Sequence, residues 1–270
     1  MYSTLGVIKN SKKSGKLMGT HQKIDRAARR FLATKLSAKE NRILPNENSI
    51  LRFEGAKGPD GLKMKSPGVD EPMHFINPEH DDGSLITMIM DHQYNMRKAV
   101  KDKNWDRVAF EAAWMGHAIT DGLTPAHHYP FLEATKDLVS KDEFVKLFGV
   151  PIKGIMTGSN FVSTLQNNWM YLGAGGFMTK HIAFEYGCAI VTAAMSYRAM
   201  MKRLYGMELK NIDLRAEFYK SLDKVAALDM YDRFLKSGWT TNLAYETKEI
   251  LIPEIVRAVV CGWVSGIEVN

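Results

Sequence analysis

The stretch His117-Ala-Ile-Thr-Asp121-Gly-Leu-Thr-Pro-Ala-His127 has the residue types and spacing for chemistry. Residues four apart stand one turn above each other on a helix, so His117 and Asp121 share a face. Pro125 closes that helix, and His127 returns across its end on a turn. Two imidazoles and a carboxylate then converge on one point, a borderline-soft donor set that suits zinc. His181-Ile-Ala-Phe-Glu185 repeats the four-residue spacing about sixty residues later. About one such pair is expected by chance in a chain of this composition, so it gains weight only beside the first. Together the two helices would supply one metal cluster.

The elements that must position these groups read as helices. Thr20 is a candidate N-cap, followed by His21, Ile24, Ala27, Ala28, Phe31 and Leu32 at helical spacing. His21 in that first turn reads, taken alone, as an ordinary, partly exposed side chain. From Ser37 to Pro78 the chain is rich in Pro, Gly and Asn and lacks periodicity, which predicts a long loop. Within it lie Glu54, Asp60 and His74. Asp81-Asp82-Gly83-Ser84 opens a helix from Leu85 to about Lys101. It is not a calcium loop, because the oxygen ligands at EF-hand spacing are missing. Asp91 and His92 fall on that helix as part of a polar face.

The next helix runs from about Asn104 to Asp121, with Trp105, Val108, Ala109, Ala112, Ala113 and Gly116 as its packing face. A short amphipathic helix is expected around 142–148. Gly173 to Gly176 reads as a turn, since no strand precedes it as a nucleotide loop requires. The His181 helix is expected to continue to about Leu204, with Cys188 on the same stripe as a buried thiol rather than a ligand. Helices at about 212–237 and 244–264 end the chain. No convincing strand alternation appears, and sixteen Met suit an adaptable helical core. The expected architecture is all-α, a multi-helix single domain over 19–270 behind a flexible basic tail at 1–18.

A net charge of +6 favours an anionic partner without specifying a fold. Two cysteines, Cys188 and Cys261, make neither a disulfide framework nor a CxxC motif. No apolar run of membrane-spanning length is expected. The Lys-rich N-terminus leads into no apolar core of a signal peptide, so a cytoplasmic location is expected.

The order His21, Asp60, His74, His117-x3-Asp121-x5-His127, His181-x3-Glu185 resembles that of the bacterial zinc-dependent phospholipase C and fungal single-strand nuclease superfamily, over about residues 19 to 205. The resemblance implies an all-helical fold with two to three zinc ions in a cleft. Asp60, His74, His117 and Asp121 match the ligands of one metal, with Asp121 bridging to a neighbour. His127, His181 and Glu185 match a more open zinc, and His21 matches the remaining one. The implied activity is hydrolysis of a phosphoric ester, in which metal-activated water attacks a phosphodiester. Asp60 would be general base as well as ligand. Asp70 is its rival, and the fourteen-residue interval from Asp60 to His74 favours Asp60.

The chain departs from the family in three places. Secreted relatives complete the His21 site with a mature N-terminal Trp, and here no Trp precedes Trp105. An intact terminus with a weaker third metal is therefore expected. Gly61 and Glu71 stand where choline-preferring phospholipases place aromatic residues, which argues against a choline pocket. The nucleases' stacking residues match no motif here. The substrate is expected to be an anionic phosphodiester, including phospholipid. A single-strand zinc nuclease and a catalytically silent, metal-stabilised helical protein are the alternatives.

Overall fold

The structure, a computed structural model, describes residues 19–54, 57–60, 75–128, 166, 169–170, 173 and 176–268. The N-terminal tail, His74, Asp70, Gly61, Glu71 and the helix expected near 142–148 lie outside them. Among the described residues the fold is all-α, without a strand.

Helix α1 (Thr20–Lys35) starts one residue earlier than expected: Gly19 is the N-cap and Thr20 the first helical residue. Its core face is Ile24, Ala27, Ala28, Phe31 and Leu32, all buried. The expected long loop contains two short helices, α2 (Ala38–Ile43) and α3 (Glu47–Leu51). Capping makes them: Ser37 and Glu40 form a reciprocal capping box, and Asn46 accepts from the Ser49 amide. Helix α4 (Ser84–Lys101) follows Gly83 in the left-handed region, where φ is 74°. Asp81 and Asp82 arrange that entry by accepting from the amides of Gly83 and Ser84. Helix α5 (Trp105–Gly122) is capped by Asn104 and packs along α4. Val108, Ala109, Ala112, Ala113 and Gly116 are buried as its pattern requires, whereas Trp105 is exposed.

The His181 helix is shorter than expected. Helix α6 spans Phe177–Ala194, and the chain breaks at Met195 and Ser196 before the short α7 (Tyr197–Met200). Ser196 caps α7, while Lys23 of α1 takes up the carbonyls at the end of α6. Gly187 sits under the Trp239 ring, where any Cβ would collide. The helix expected at 212–237 is two, α8 (Leu214–Ala226) and α9 (Met230–Ser237), divided at Asp229 with φ 54°.

The last helix expected is also three pieces: α10 (Thr241–Glu246), a π-turn at Thr247–Leu251 and α11 (Ile252–Ile267). Pro253 has no amide hydrogen to continue a regular ladder, and the wider turn falls immediately before it. Thr241–Ile267 is long and apolar enough to cross a membrane, contrary to the expectation that no such stretch exists. An 18-residue window of it is 94% buried, and every residue of α11 is buried, so here that helix serves as the core. Helices α1, α4, α5 and α8 pack around α11.

Candidate metal centre

Helices α1 and α5 bring His21 and His117 together. Small residues permit this approach: a Cβ on Gly116 would lie 3.1 Å from Asp25 Oδ1 and 3.6 Å from Trp263 Nε1. Trp263 of α11 donates to the Ala112 carbonyl at 2.8 Å and locks α5 onto the core. The His21 and His117 rings stack with centroids 4.0 Å apart. His21 Nε2 lies 3.2 Å from Asp121 Oδ1, and His117 Nε2 lies 3.1 Å from Asp121 Oδ2. His21 is therefore a buried member of the constellation, unlike its reading in isolation. Asp60 Oδ1 stands 3.6 Å from His117 Nε2, on a side chain still 32% exposed.

A second group forms beside the first. The helix carrying Asp121 ends at Gly122, and Pro125–His127 make one 3-10 turn, with the His127 amide donating to the Thr124 carbonyl. This places His127 Nε2 at 3.0 Å from Glu185 Oε1, which also lies 3.2 Å from His181 Nε2. Phe75 stacks on His127 with centroids 4.7 Å apart, and the Ile76 amide donates to the His127 carbonyl. His127 Nε2 is 4.0 Å from Asp121 Oδ1. Asp121 thus stands between the two groups, with Oδ2 towards His117 and Oδ1 towards His21 and His127.

Seven of the eight expected ligands come together in this way; His74 lies outside the described residues, next to Phe75 in sequence. The donor atoms of His21, His117 and Asp121 all lie within 4.8 Å of one another, as do those of His127, His181 and Glu185. Two ligands held about 2.1 Å from a tetrahedral zinc stand about 3.4 Å apart. A direct charge-assisted N–H···O bond is shorter, about 2.7 to 2.9 Å. The nitrogen–oxygen separations here, 3.0 to 3.6 Å, are all longer than that direct bond and bracket the ligand–ligand figure. The residues present fit zinc.

The electrostatics agree with a ligand set. Burial opposes ionisation of Asp121, and the imidazoles of His127, His117 and His21 favour it. Burial likewise opposes ionisation of Glu185, and His181 and His127 favour it. Burial works against a proton on His117, but Asp121, Asp60 and Glu54 raise its pKa well above the ordinary value. A cation in the cluster would replace that proton. Burial lowers His127 despite Asp121, which favours its neutral, ligating form.

Three residues extend the picture beyond the ligand set inferred from sequence. Glu54, fully buried, places Oε2 3.5 Å from His117 Nδ1, the nitrogen turned away from Asp121. Asp25 is buried as well, and burial together with Glu54 raises its pKa well above the usual range. It lies four residues after His21, so a third His–acid pair at helical spacing is legible in the sequence. Phe75 had no such signal. Cys188 belongs to neither donor group, and burial pushes its thiol up to about 12. His92 lies apart, its Nδ1 2.6 Å from the buried Glu111.

Comparison with protein-family models, curated proteins and solved structures gave no match for this chain.

Proposed function

We propose that this chain is a zinc-dependent phosphoric ester hydrolase acting on a phosphodiester. The observation carrying this reading is Asp121, whose two oxygens lie beside three imidazoles from two adjacent donor groups. A purely structural zinc site is closed by four protein ligands, whereas each group offers three among the described residues. Bound zinc would supply a Lewis acid and lower the pKa of water towards neutrality. His21, His117 and Asp121 would hold one metal region, and His127, His181 and Glu185 the other.

Asp60 has a different task. Its carboxyl is kept below the usual range by His117, against burial, so it is anionic at neutral pH. It is also solvent-reachable, as a group accepting a proton from water must be. Glu54 fixes the ring of His117 from behind, and Phe75 shields one face of His127.

The test is metal analysis joined to turnover of bis(p-nitrophenyl) phosphate. At least two zinc equivalents are expected, with hydrolysis lost on chelation and restored by zinc. Asp60→Asn should lower kcat by about 100-fold or more, a general-base effect. Bound zinc with no turnover of phosphodiester, phospholipid or single-stranded nucleic acid would leave the silent, metal-stabilised scaffold. Turnover confined to single-stranded nucleic acid, with steep salt dependence, would identify the nuclease.

A further inference from the structure

The last helices form one spine with an irregularity inside it. Thr241–Ile267 is a continuous run of 27 residues, made of α10, the π-turn at Thr247–Leu251 and α11. Its two ends brace different donor groups. Val259 and Trp263 of α11 lie against Gly116 of α5, and Gly262 lies against Ile119, so this end supports the helix of His117 and Asp121. The π-turn and α10 pack instead on α6, the helix of His181 and Glu185.

Both ends must face the same way, because the donor groups stand side by side, with His127 Nε2 4.0 Å from Asp121 Oδ1. A regular helix would not achieve this. At about 100° per residue, Thr247 and Val259 would be turned about 120° from one another. A π-turn holds one residue more than an α-turn, and taking that residue out of the count leaves about 20° between them. The Ile252 amide donates to the Thr247 carbonyl, five residues back, as that wider turn requires.

Thr247 is the side chain that the turn delivers. It is fully buried, its hydroxyl donates to the Leu243 carbonyl at 2.7 Å, and it faces the thiol of Cys188. Cys188 is buried too and follows Glu185 by three residues, one turn along α6. Trp239, two residues before α10, seats the same helix by donating to the Ala183 carbonyl at 3.2 Å.

We infer that the π-turn at Thr247–Leu251 sets the register by which one helix braces both donor groups, and that Thr247 is a positioning residue for Glu185 through Cys188. The consequence for metal rests on the zinc reading above, whereas the register itself does not. Drawn into a regular α-helix, the spine would carry Thr247 about 100° round and off α6 while α11 stayed in place.

Deletion of Lys248, an exposed residue within the turn, draws the helix into that regular form. Iodoacetamide labelling of the folded full chain, read at each cysteine by mass spectrometry, follows the register without any metal. Both thiols of the parent should be protected, since both are buried. In the deletion Cys188 should label about tenfold faster or more, with Cys261 of α11 still protected. Zinc content should fall by about one equivalent, the share of one donor group. Lys248→Ala, which keeps the length, should match the parent in both measurements. Thr247→Ala should speed labelling of Cys188 and weaken zinc binding by about threefold or more, less than the loss of a direct partner of a ligand. Thr247→Val, which keeps the shape, should restore both.

A deletion variant with Cys188 still protected and zinc content unchanged would overturn the inference. If the deletion unfolds the chain, so that both cysteines label, Thr247→Ala decides, and Cys188 labelling at the parent's rate in that variant would overturn it. A parent without zinc whose deletion exposes Cys188 alone would keep the register and remove the hydrolase reading. Equal zinc content, turnover and labelling in parent and deletion would do the reverse.

Discussion

Lys23 Nζ donates to the Thr192 carbonyl at 2.6 Å, tying the first helix to the end of the helix that carries His181 and Glu185. The same ammonium donates to the carbonyls of Ala193 and Met195 at 2.8 and 2.7 Å. It sits at the negative end of the α6 dipole and satisfies oxygens left open where that helix stops. Because Lys23 is two residues from His21, this contact also fixes one donor group relative to the other. Lys23→Met should cost about 2 kcal/mol, as the remaining carbonyls lose a charged donor. Chemical denaturation measures the cost, and chelator titration should show zinc leaving more readily. Unchanged stability would mean that water replaces the ammonium without loss.

Asp121→Asn should lower metal content and melting temperature together, since the neutral amide removes the charge shared between three imidazoles. In the metal-free protein it also leaves the imidazole of His117 with one anion fewer. Zinc stoichiometry by atomic absorption, alongside calorimetry, reads both effects. Full zinc content in this variant would show that the carboxylate bridges nothing.

Glu54→Gln should retain the fold but weaken zinc binding by about 10- to 100-fold, the usual effect of losing a carboxylate behind a ligating histidine. The comparison is Glu111→Gln. Glu111 is an equally buried acid that also faces a histidine, His92, but it belongs to neither donor group. Competition with a zinc chelator should separate the two variants, and equal affinities would assign Glu54 to packing alone.

Acid should expose a contribution remote from the metals. Burial opposes ionisation of Glu254, yet Arg257 Nε at 2.7 Å and Lys224 Nζ at 3.0 Å hold its carboxyl below the ordinary glutamate value. A depressed carboxyl stabilises the fold above the unfolded pKa, and that stability is lost as pH falls through the folded pKa. Glu254→Gln should therefore cost about 1.5 kcal/mol at neutral pH, since Arg257 keeps its pairing with Glu217 but loses the anion at Nε. The gap from the parent should narrow below about pH 4.5. Urea denaturation at a series of pH values would show a constant gap if the charge were immaterial.

The helices bearing His117 and His181 were legible because apolar periodicity and the His–acid spacing coincide on them. Their ends were less so. The break after Ala194 depends on Lys23, 169 residues away from Thr192, which no local window contains. The cap at Ser37 was legible, since Ser and Glu stand at capping-box spacing, but the surrounding Pro, Gly and Asn masked it. His117, Asp121, His127, His181 and Glu185 followed from residue type and spacing, whereas His21 and Asp60 joined them only through the family resemblance. Glu54 did neither, because a loop acid acquires its role only when three-dimensional packing brings it against His117 Nδ1.

Helix α11 sets an order of events. It is the last described helix to leave the ribosome, and it packs against both α1 and α5, which carry His21, His117 and Asp121. Trp263, near its end, bonds the α5 carbonyl at Ala112, five residues before His117. A nascent chain lacking this helix has the donors but no frame to hold two of their helices at ligating distance. On the proposed reading, metal capture waits until this helix has emerged, and a bound zinc ion would act as a clasp closed behind it.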